Sequence, residues 1–167
     1  SQARPGVNPL VDAASDLFDL VVYLQSQYAP MDAAALRAKT LVLISEFQKR
    51  CDAAGVDPQV AGVAVYAIAA TIDDQVMAKP WGAEAGWARQ KLLSTLYSDV
   101  AGGEGFFAYL SETEAEPERF RDLLELMYVC VSLGFEGAYR VRESGRAELD
   151  AIRARAFAAI RRARGGL

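Results

Sequence analysis

Two adjacent carboxylates, Asp73 and Asp74, have the clearest potential for chemistry in this sequence. A pair of acids can bind a divalent cation or act as general acid and base. Consecutive side chains on a helix, however, point about 100° apart and do not share one small site. We therefore expect one acid to be buried in a hydrogen-bond network and the other to lie at the surface or contact a partner. The alternative is a carboxylate- or metal-dependent enzyme, whose further ligands the spacing does not reveal.

The sequence contains no histidine. This excludes Ser-His-Asp and Cys-His catalysis and most zinc chemistry. The glycine-rich stretch 102–105 lacks the spacing of a dinucleotide fingerprint or a phosphate loop, and no strand is predicted before it. It is interpreted as a helix-breaking turn. We expect no catalytic, cofactor-binding or metal-binding residues, and therefore no enzyme.

The two cysteines, Cys51 and Cys130, each lie within an apolar helical pattern. A cysteine in such a position usually behaves as a small buried hydrophobe in a reducing compartment. The sequence does not exclude a disulfide, but nothing in it requires one.

Helical periodicity and helix-capping signals run through the whole chain, so the predicted fold class is all-α. Asn8-Pro9 and Asp57-Pro58 combine a capping residue with a proline suited to the first helical position, and Asp32 is a third cap. No segment alternates apolar and polar residues between turn signals, as a half-buried strand would. The predicted helices cover approximately 9–29, 33–54, 58–72, 83–98, 106–110, 117–133 and 146–164, with a short segment at 139–144.

The segment from Val60 to Ile72 is apolar on every side. Such a helix is typical of the centre of a bundle. At this length it is too short to cross a bilayer, and neither a membrane span nor a signal peptide is predicted anywhere in the chain. Asp73 and Asp74 are expected to end this helix.

Trp81 lies in a predicted Pro-Trp-Gly turn, outside the helical patterns that account for most other aromatic residues. There it either fills a gap in the bundle or presents an anchor to a partner. The first interpretation is preferred, because aromatic residues in helical proteins are usually part of the core.

Charge is distributed unevenly along the chain. Residues 1–139 contain 10 basic and 19 acidic side chains, whereas residues 140–167 contain 8 arginines and 3 acids. An acidic body does not suit a nucleic-acid binder, whose basic surface would belong to the fold. Arg161, Arg162 and Arg164 form either a solvated helix end or the cytoplasmic flank of a membrane span beyond this chain.

Five segments, taken together and in this order, resemble the DotU/TssL family, also called the IcmH/DotU family. They include an opening Asn-Pro-Leu, an apolar helix ending in two acids, and a Pro-Trp-Gly turn. The most specific is Leu-Leu-Glu-Leu-Met-Tyr-Val-Cys-Val-Ser-Leu-Gly-Phe-Glu-Gly-Ala-Tyr-Arg-Val. The segments are 8–11, 66–74, 80–82, 102–107 and 123–141.

The helical patterns predict seven or eight helices, and the resemblance implies that they form a bundle of two packed subdomains with a cleft between them. It also implies the cytoplasmic part of an inner-membrane subunit of the type VI secretion system, anchored by one C-terminal transmembrane helix that this chain lacks. The implied partners are a TssM/IcmF-type membrane protein, the baseplate proteins TssK and TssE, an outer-membrane lipoprotein and, in a homodimer, a second copy. A related subunit of type IVB secretion systems remains an alternative.

Carried over by position, Asp73 and Asp74 are expected in the partner-binding cleft, with Trp81 and Gly82 at its rim. Glu136 is expected to be a structural acid, paired with an arginine such as Arg140. The resemblance favours the membrane flank for Arg161, Arg162 and Arg164. The implied domain covers 8–164, between a disordered segment at 1–7 and a junction to the missing membrane helix at 165–167.

Overall fold

The computed structural model describes residues 7–97 and 104–165, and no strand is present among them. These residues form nine α-helices and two 3-10 helices, which confirms the all-α prediction. The α-helices are α1 (Pro9–Ala13), α2 (Ser15–Ser26), α3 (Ala33–Ala53), α4 (Pro58–Met77), α5 (Pro80–Glu84), α6 (Leu92–Tyr97), α7 (Glu104–Ala115), α8 (Arg121–Ser132) and α9 (Gly145–Ala163). The 3-10 helices are Trp87–Arg89 and Gly137–Val141.

The three capping residues predicted from the sequence all cap helices. The side chains of Asn8, Asp32 and Asp57 each accept a hydrogen bond from a backbone N–H two or three residues later, at 2.8–3.1 Å. Pro9 and Pro58 occupy the first position of their helices. These starts were predictable because capping uses residues adjacent in sequence.

The prediction of one continuous helix over 83–98 was wrong. The chain forms α5, a 3-10 turn and α6 instead, and Gly86 between the first two adopts a left-handed φ of 74°. The backbone N–H groups of Leu92 and Leu93 donate to the side chain of Asp73 at 2.8 and 3.1 Å, which fixes the start of α6. A contact across about twenty residues is outside the reach of local periodicity.

Three other boundaries also differ from the prediction. The first helix is interrupted at Ala14, α7 is longer than the short aromatic helix expected there, and α8 begins at Arg121 rather than near Pro117. Of the predicted glycine turn at 102–105, residues 102–103 lie outside the described residues, whereas Glu104 and Gly105 belong to the first turn of α7 and not to a helix-breaking turn. Nearly all of the two predicted terminal segments also lie outside the described residues.

Helix α4 forms the centre of the bundle. It continues to Met77, so Asp73 and Asp74 lie inside it rather than at its end. With 20 residues and a mean hydropathy of 1.3 it is long and apolar enough to span a membrane, but 67% of its apolar window is buried within the protein. Burial of this extent is characteristic of a core helix, as the sequence analysis predicted from its apolar faces.

Two groups of helices pack on α4. Helices α1, α2 and α3 contact one another and form the first group, while α7, α8 and α9 form the second, together with the 3-10 helix Gly137–Val141. Helices α5 and α6 also pack on α4, and α1 packs on α8. This arrangement is the two-part helical bundle that the resemblance implied.

Both cysteines are buried, free thiols, as expected. Burial raises the pKa of Cys130 to about 12 and also raises the pKa of Cys51. Since the thiolate is the reactive form, neither cysteine is a nucleophile at neutral pH.

Gly82 provides a test of the packing between α4 and α5. A Cβ atom there would lie 2.1 Å from the backbone carbonyl oxygen of Val76. We expect Gly82→Ala to lower the free energy of unfolding by about 1–3 kcal/mol, measured by urea denaturation, because backbone must shift to relieve the overlap. Gly62 in α4 has no atom within 4 Å of the equivalent position. The matched control Gly62→Ala should be stabilising by about 0.5–1 kcal/mol, and similar effects of the two substitutions would contradict this packing.

Candidate docking cleft

The side chain of Asp73 is buried, 3% exposed, and its oxygens accept three hydrogen bonds. Oδ1 accepts from Nε1 of Trp87 at 2.8 Å and from the backbone N–H of Leu92 at 2.8 Å, and Oδ2 accepts from the N–H of Leu93 at 3.1 Å. One carboxylate therefore holds an indole and the first turn of α6 against α4. Asp73 has the structural role that the preferred interpretation gave to one of the two acids.

Burial raises the pKa of Asp73 above its ordinary value of 3.8. The three hydrogen bonds and the positive charge of Lys91 oppose this rise but do not cancel it. An acid whose pKa is higher in the folded state binds more protons folded than unfolded. Between pH 3.8 and the raised pKa, its contribution to the free energy of unfolding falls as pH rises.

Asp74 points in a different direction and lies near the surface, with 12% of its side chain exposed. Its Oδ2 accepts the backbone N–H of Glu136 at 3.1 Å and Nη2 of Arg140 at 2.8 Å. Arg140 also pairs with Glu136 at 3.0 Å, so the ion pair expected between these two residues is present. The adjacent aspartates thus bind separate parts of the structure.

The turn between α8 and the 3-10 helix Gly137–Val141 is held by several such bonds. Gly134 and Gly137 adopt left-handed φ values of 114° and 57°, which residues with a Cβ rarely adopt. Nε2 of Gln75 donates to the carbonyl of Gly134 at 3.1 Å, and Gln25 donates to the carbonyl of Leu133. With Asp74, these contacts fix the turn against α2 and α4.

A cavity of about 300 Å³ lies between α4, the start of α6 and the 3-10 helix Gly137–Val141. It is the cleft of the candidate site. Its lining combines the ionisable groups described above with apolar side chains from α4 and the 3-10 helix. The lining residues are Ala70, Asp73, Asp74, Met77, Ala78, Lys91, Leu93, Gly137, Ala138, Arg140 and Val141.

Trp81 and Gly82 do not line this cavity, which corrects their predicted place at its rim. Trp81 is only 6% exposed, and Gly82 packs against the backbone of Val76. Trp81 therefore fills the bundle, as the preferred interpretation of its turn predicted. Sequence reasoning missed the role of Trp87 as a partner of Asp73, because fourteen residues and a chain reversal separate them.

Arg164 is not freely exposed, contrary to the picture of a simple arginine flank. It forms two hydrogen bonds with Glu125 of α8, at 2.6 and 3.0 Å, and Glu125 also accepts from Asn8 at 2.9 Å. This network ties the C-terminal end of α9 to the start of α1. Arg161 and Arg162 have exposed side chains, and Arg161 lies over the ring of Phe157.

Among residues 7–97 and 104–165, no group of three or more His, Cys, Asp or Glu side chains is arranged to hold a metal ion. The acids in the cleft accept hydrogen bonds from the protein itself. The fold is a helical bundle with a cleft between α4, the start of α6 and the 3-10 helix Gly137–Val141.

A family model described as type VI secretion system protein DotU matches residues 9–167. The chain belongs to this DotU family, whose members are structural subunits of the type VI secretion membrane complex. No curated protein matches the chain.

Solved structures of TssL proteins are similar over nearly the whole chain. TssL from Vibrio cholerae is 32% identical, with a TM-score of 0.84, covering 96% of this chain and 99% of that chain. The cytoplasmic domain of TssL from Acinetobacter baumannii is 26% identical, with a TM-score of 0.85, covering 95% and 99%. SciP/TssL from enteroaggregative Escherichia coli 042 shares the fold at 20% identity and a TM-score of 0.74, covering 88% and 86%.

The raised pKa of Asp73 gives a prediction for the pH dependence of stability. Asparagine does not titrate, so the free energy of unfolding of the wild type minus that of Asp73→Asn should fall as pH rises from 3.8 to the folded pKa, and level off above it. Urea denaturation of both proteins from pH 4 to pH 8 measures this difference. A difference that increases with pH would show that the hydrogen bonds outweigh burial.

The contact between Asp74 and Glu136 predicts local protection of one amide. We expect Asp74→Ala to speed hydrogen exchange at the amide of Glu136 about tenfold or more, because a hydrogen bond to a charged group contributes about 1.5 kcal/mol or more. Exchange measured by NMR resolves this amide. Glu143 makes no hydrogen bond or ion pair among the described residues, so Glu143→Ala is the control. If the amide of Glu136 exchanged at the same rate in both variants, its hydrogen bond to Asp74 would not protect it.

Proposed function

We propose that this domain is the docking part of a type VI secretion inner-membrane subunit, and that it links the baseplate to the membrane through protein contacts. The observation that carries the proposal is the cleft beside α4, held open by bonds from Asp73 and Asp74. Family membership supports a place in the membrane complex. A surface fixed by its own internal bonds loses little conformational freedom when a partner binds.

The proposed location is the cytoplasmic face of the bacterial inner membrane. The similar Acinetobacter baumannii structure is the cytoplasmic domain of its TssL. A membrane helix C-terminal to this domain would place Arg161 and Arg162, both exposed on the last turn of α9, next to anionic lipid. Arg164, bound to Glu125, would hold that end of α9 on the domain.

The proposed partners are a TssM/IcmF-type inner-membrane protein and the baseplate proteins TssK and TssE, with a second copy of the chain as a further possibility. Protein partners of this kind are supported by the family's place in a multi-subunit complex. The geometry favours contact through the cleft, because that is where exposed apolar side chains and a charged group converge.

Binding of the folded domain to its partners tests this proposal. The cytoplasmic region of the TssM-type protein, TssK and TssE are each titrated against the immobilised domain. We expect at least one of them to bind. Ala138 is exposed at the cleft, so the ring added by Ala138→Trp should fill the cleft. We expect binding to weaken about tenfold or more, because this corresponds to the loss of one well-packed contact.

Ala34 on the exposed side of α3 provides the matched control. Ala34→Trp adds the same ring away from the cleft and should leave binding unchanged. If none of the three proteins bound the folded wild type, the docking proposal would be refuted. If both tryptophan variants bound as the wild type does, the docking surface would lie outside the cleft.

A further inference from the structure

The charged side chains that line the cleft differ in how many hydrogen bonds and ion pairs they make within the protein. The carboxylate of Asp73 accepts three hydrogen bonds from the protein, and that of Asp74 accepts two. Arg140 divides its guanidinium between Asp74 and Glu136. Both acids and this arginine are thus engaged within the fold.

Lys91 differs from these three groups. Its Nζ makes no hydrogen bond or ion pair with any residue in the part of the chain that the structure describes, although its charge acts on Asp73. The side chain is half-buried where it lines the cleft beside Leu93. A lysine can bury its apolar stem in this way and keep its ammonium at the surface. The cleft therefore offers one uncommitted positive charge.

Apolar side chains surround this charge. Val141 is 89% exposed and Met77 is 41% exposed, and both line the cleft with Ala78 and Ala138. Exposed apolar side chains that converge on one concave surface are typical of a protein-interaction site. Met77 is also flexible enough to adapt to the shape of a bound side chain.

The cleft has a volume of about 300 Å³, at the lower end of the roughly 300–1,000 Å³ that ligand pockets in proteins occupy. This volume is large enough for side chains of a partner to enter.

We infer that the cleft binds a partner polypeptide through an Asp or Glu side chain whose carboxylate meets Lys91, next to a large apolar side chain that packs on Met77 and Val141. The inference rests on the proposed docking function and names the chemistry that the partner must present. A cleft that contains two aspartates would be expected to bind a basic side chain of a partner. The inference is the opposite, because it names an acidic side chain. Each aspartate already accepts hydrogen bonds from the protein, whereas the ammonium of Lys91 donates none among the described residues and is available to a carboxylate.

Substitutions at Lys91 test the charged half of this contact. With a partner subunit that binds the wild-type domain as the probe, Lys91→Gln should weaken binding about tenfold, and Lys91→Glu should weaken it further through repulsion. Lys91→Arg retains the charge and should restore binding to within about threefold of the wild type. Lys49, exposed on α3, provides the control Lys49→Gln, which should bind as the wild type does. Circular dichroism shows that each variant is folded.

The apolar half is tested in the same way. Val141→Ser should weaken binding, because it removes exposed apolar surface that a partner would cover. Val42 on α3 is 57% exposed and does not line the cleft, so Val42→Ser is its control. If the two serine variants bound the partner equally well, Val141 would not be part of the contact.

Zero-length carbodiimide cross-linking locates the carboxylate directly. We expect mass spectrometry of the complex to find an amide bond between Nζ of Lys91 and an Asp or Glu side chain that has a large apolar neighbour in the partner. Cross-links confined to other lysines, or a link from Lys91 to a terminal carboxylate, would overturn the inference. If the wild type binds and Lys91→Gln binds equally well, the inference fails while the docking function stands. If no partner binds the wild type, both fail.

Discussion

The carboxylate of Asp73 is the constraint on which much of this structure depends. A charged group is costly to bury unless its hydrogen bonds are satisfied. Here the backbone of α6 and the indole of Trp87 satisfy them, at distances of 2.8–3.1 Å. The chain after α5 must therefore return to α4 and begin a new helix there. This requirement places Lys91 and Leu93 beside the cleft, so the buried acid determines one wall of the candidate site.

The second aspartate determines the opposite wall by the same means. Because neighbouring side chains on a helix diverge, Asp74 reaches the turn after α8, where it binds the N–H of Glu136 and the side chain of Arg140. Two consecutive residues of the central helix thus position two distant segments on either side of one cavity. A scaffold built in this way presents a fixed surface, which suits a family of structural secretion-system subunits.

The same hydrogen bonds decide which charges remain for other proteins. The acidic pair drew attention in the sequence because two carboxylates suggest cation binding or catalysis. In the fold both carboxylates accept hydrogen bonds from the protein, whereas the ammonium of Lys91 at the cleft makes none with the described residues. The arginine-rich end shows a similar division, since Arg164 is bound to Glu125 whereas Arg162 is exposed. Counting charged residues in each segment of the sequence therefore gives the sign of its net charge. It does not show which charged side chains are already paired within the fold.

The sequence by itself determined the helical class, the capped starts at Asn8, Asp32 and Asp57, and the central position of α4. Each of these follows from residue types a few positions apart, within the reach of a helical turn or cap. It also determined that Asp73 and Asp74 would play different parts, because helix geometry separates them. Only the tertiary structure decided where α6 begins, that Trp81 and Gly82 do not line the cleft, and which charged side chain at the cleft has no hydrogen-bond partner among the described residues. These depend on contacts such as those of Asp73 with Leu92 and of Asp74 with Arg140, which join residues distant in the chain and leave no periodic signal in the sequence.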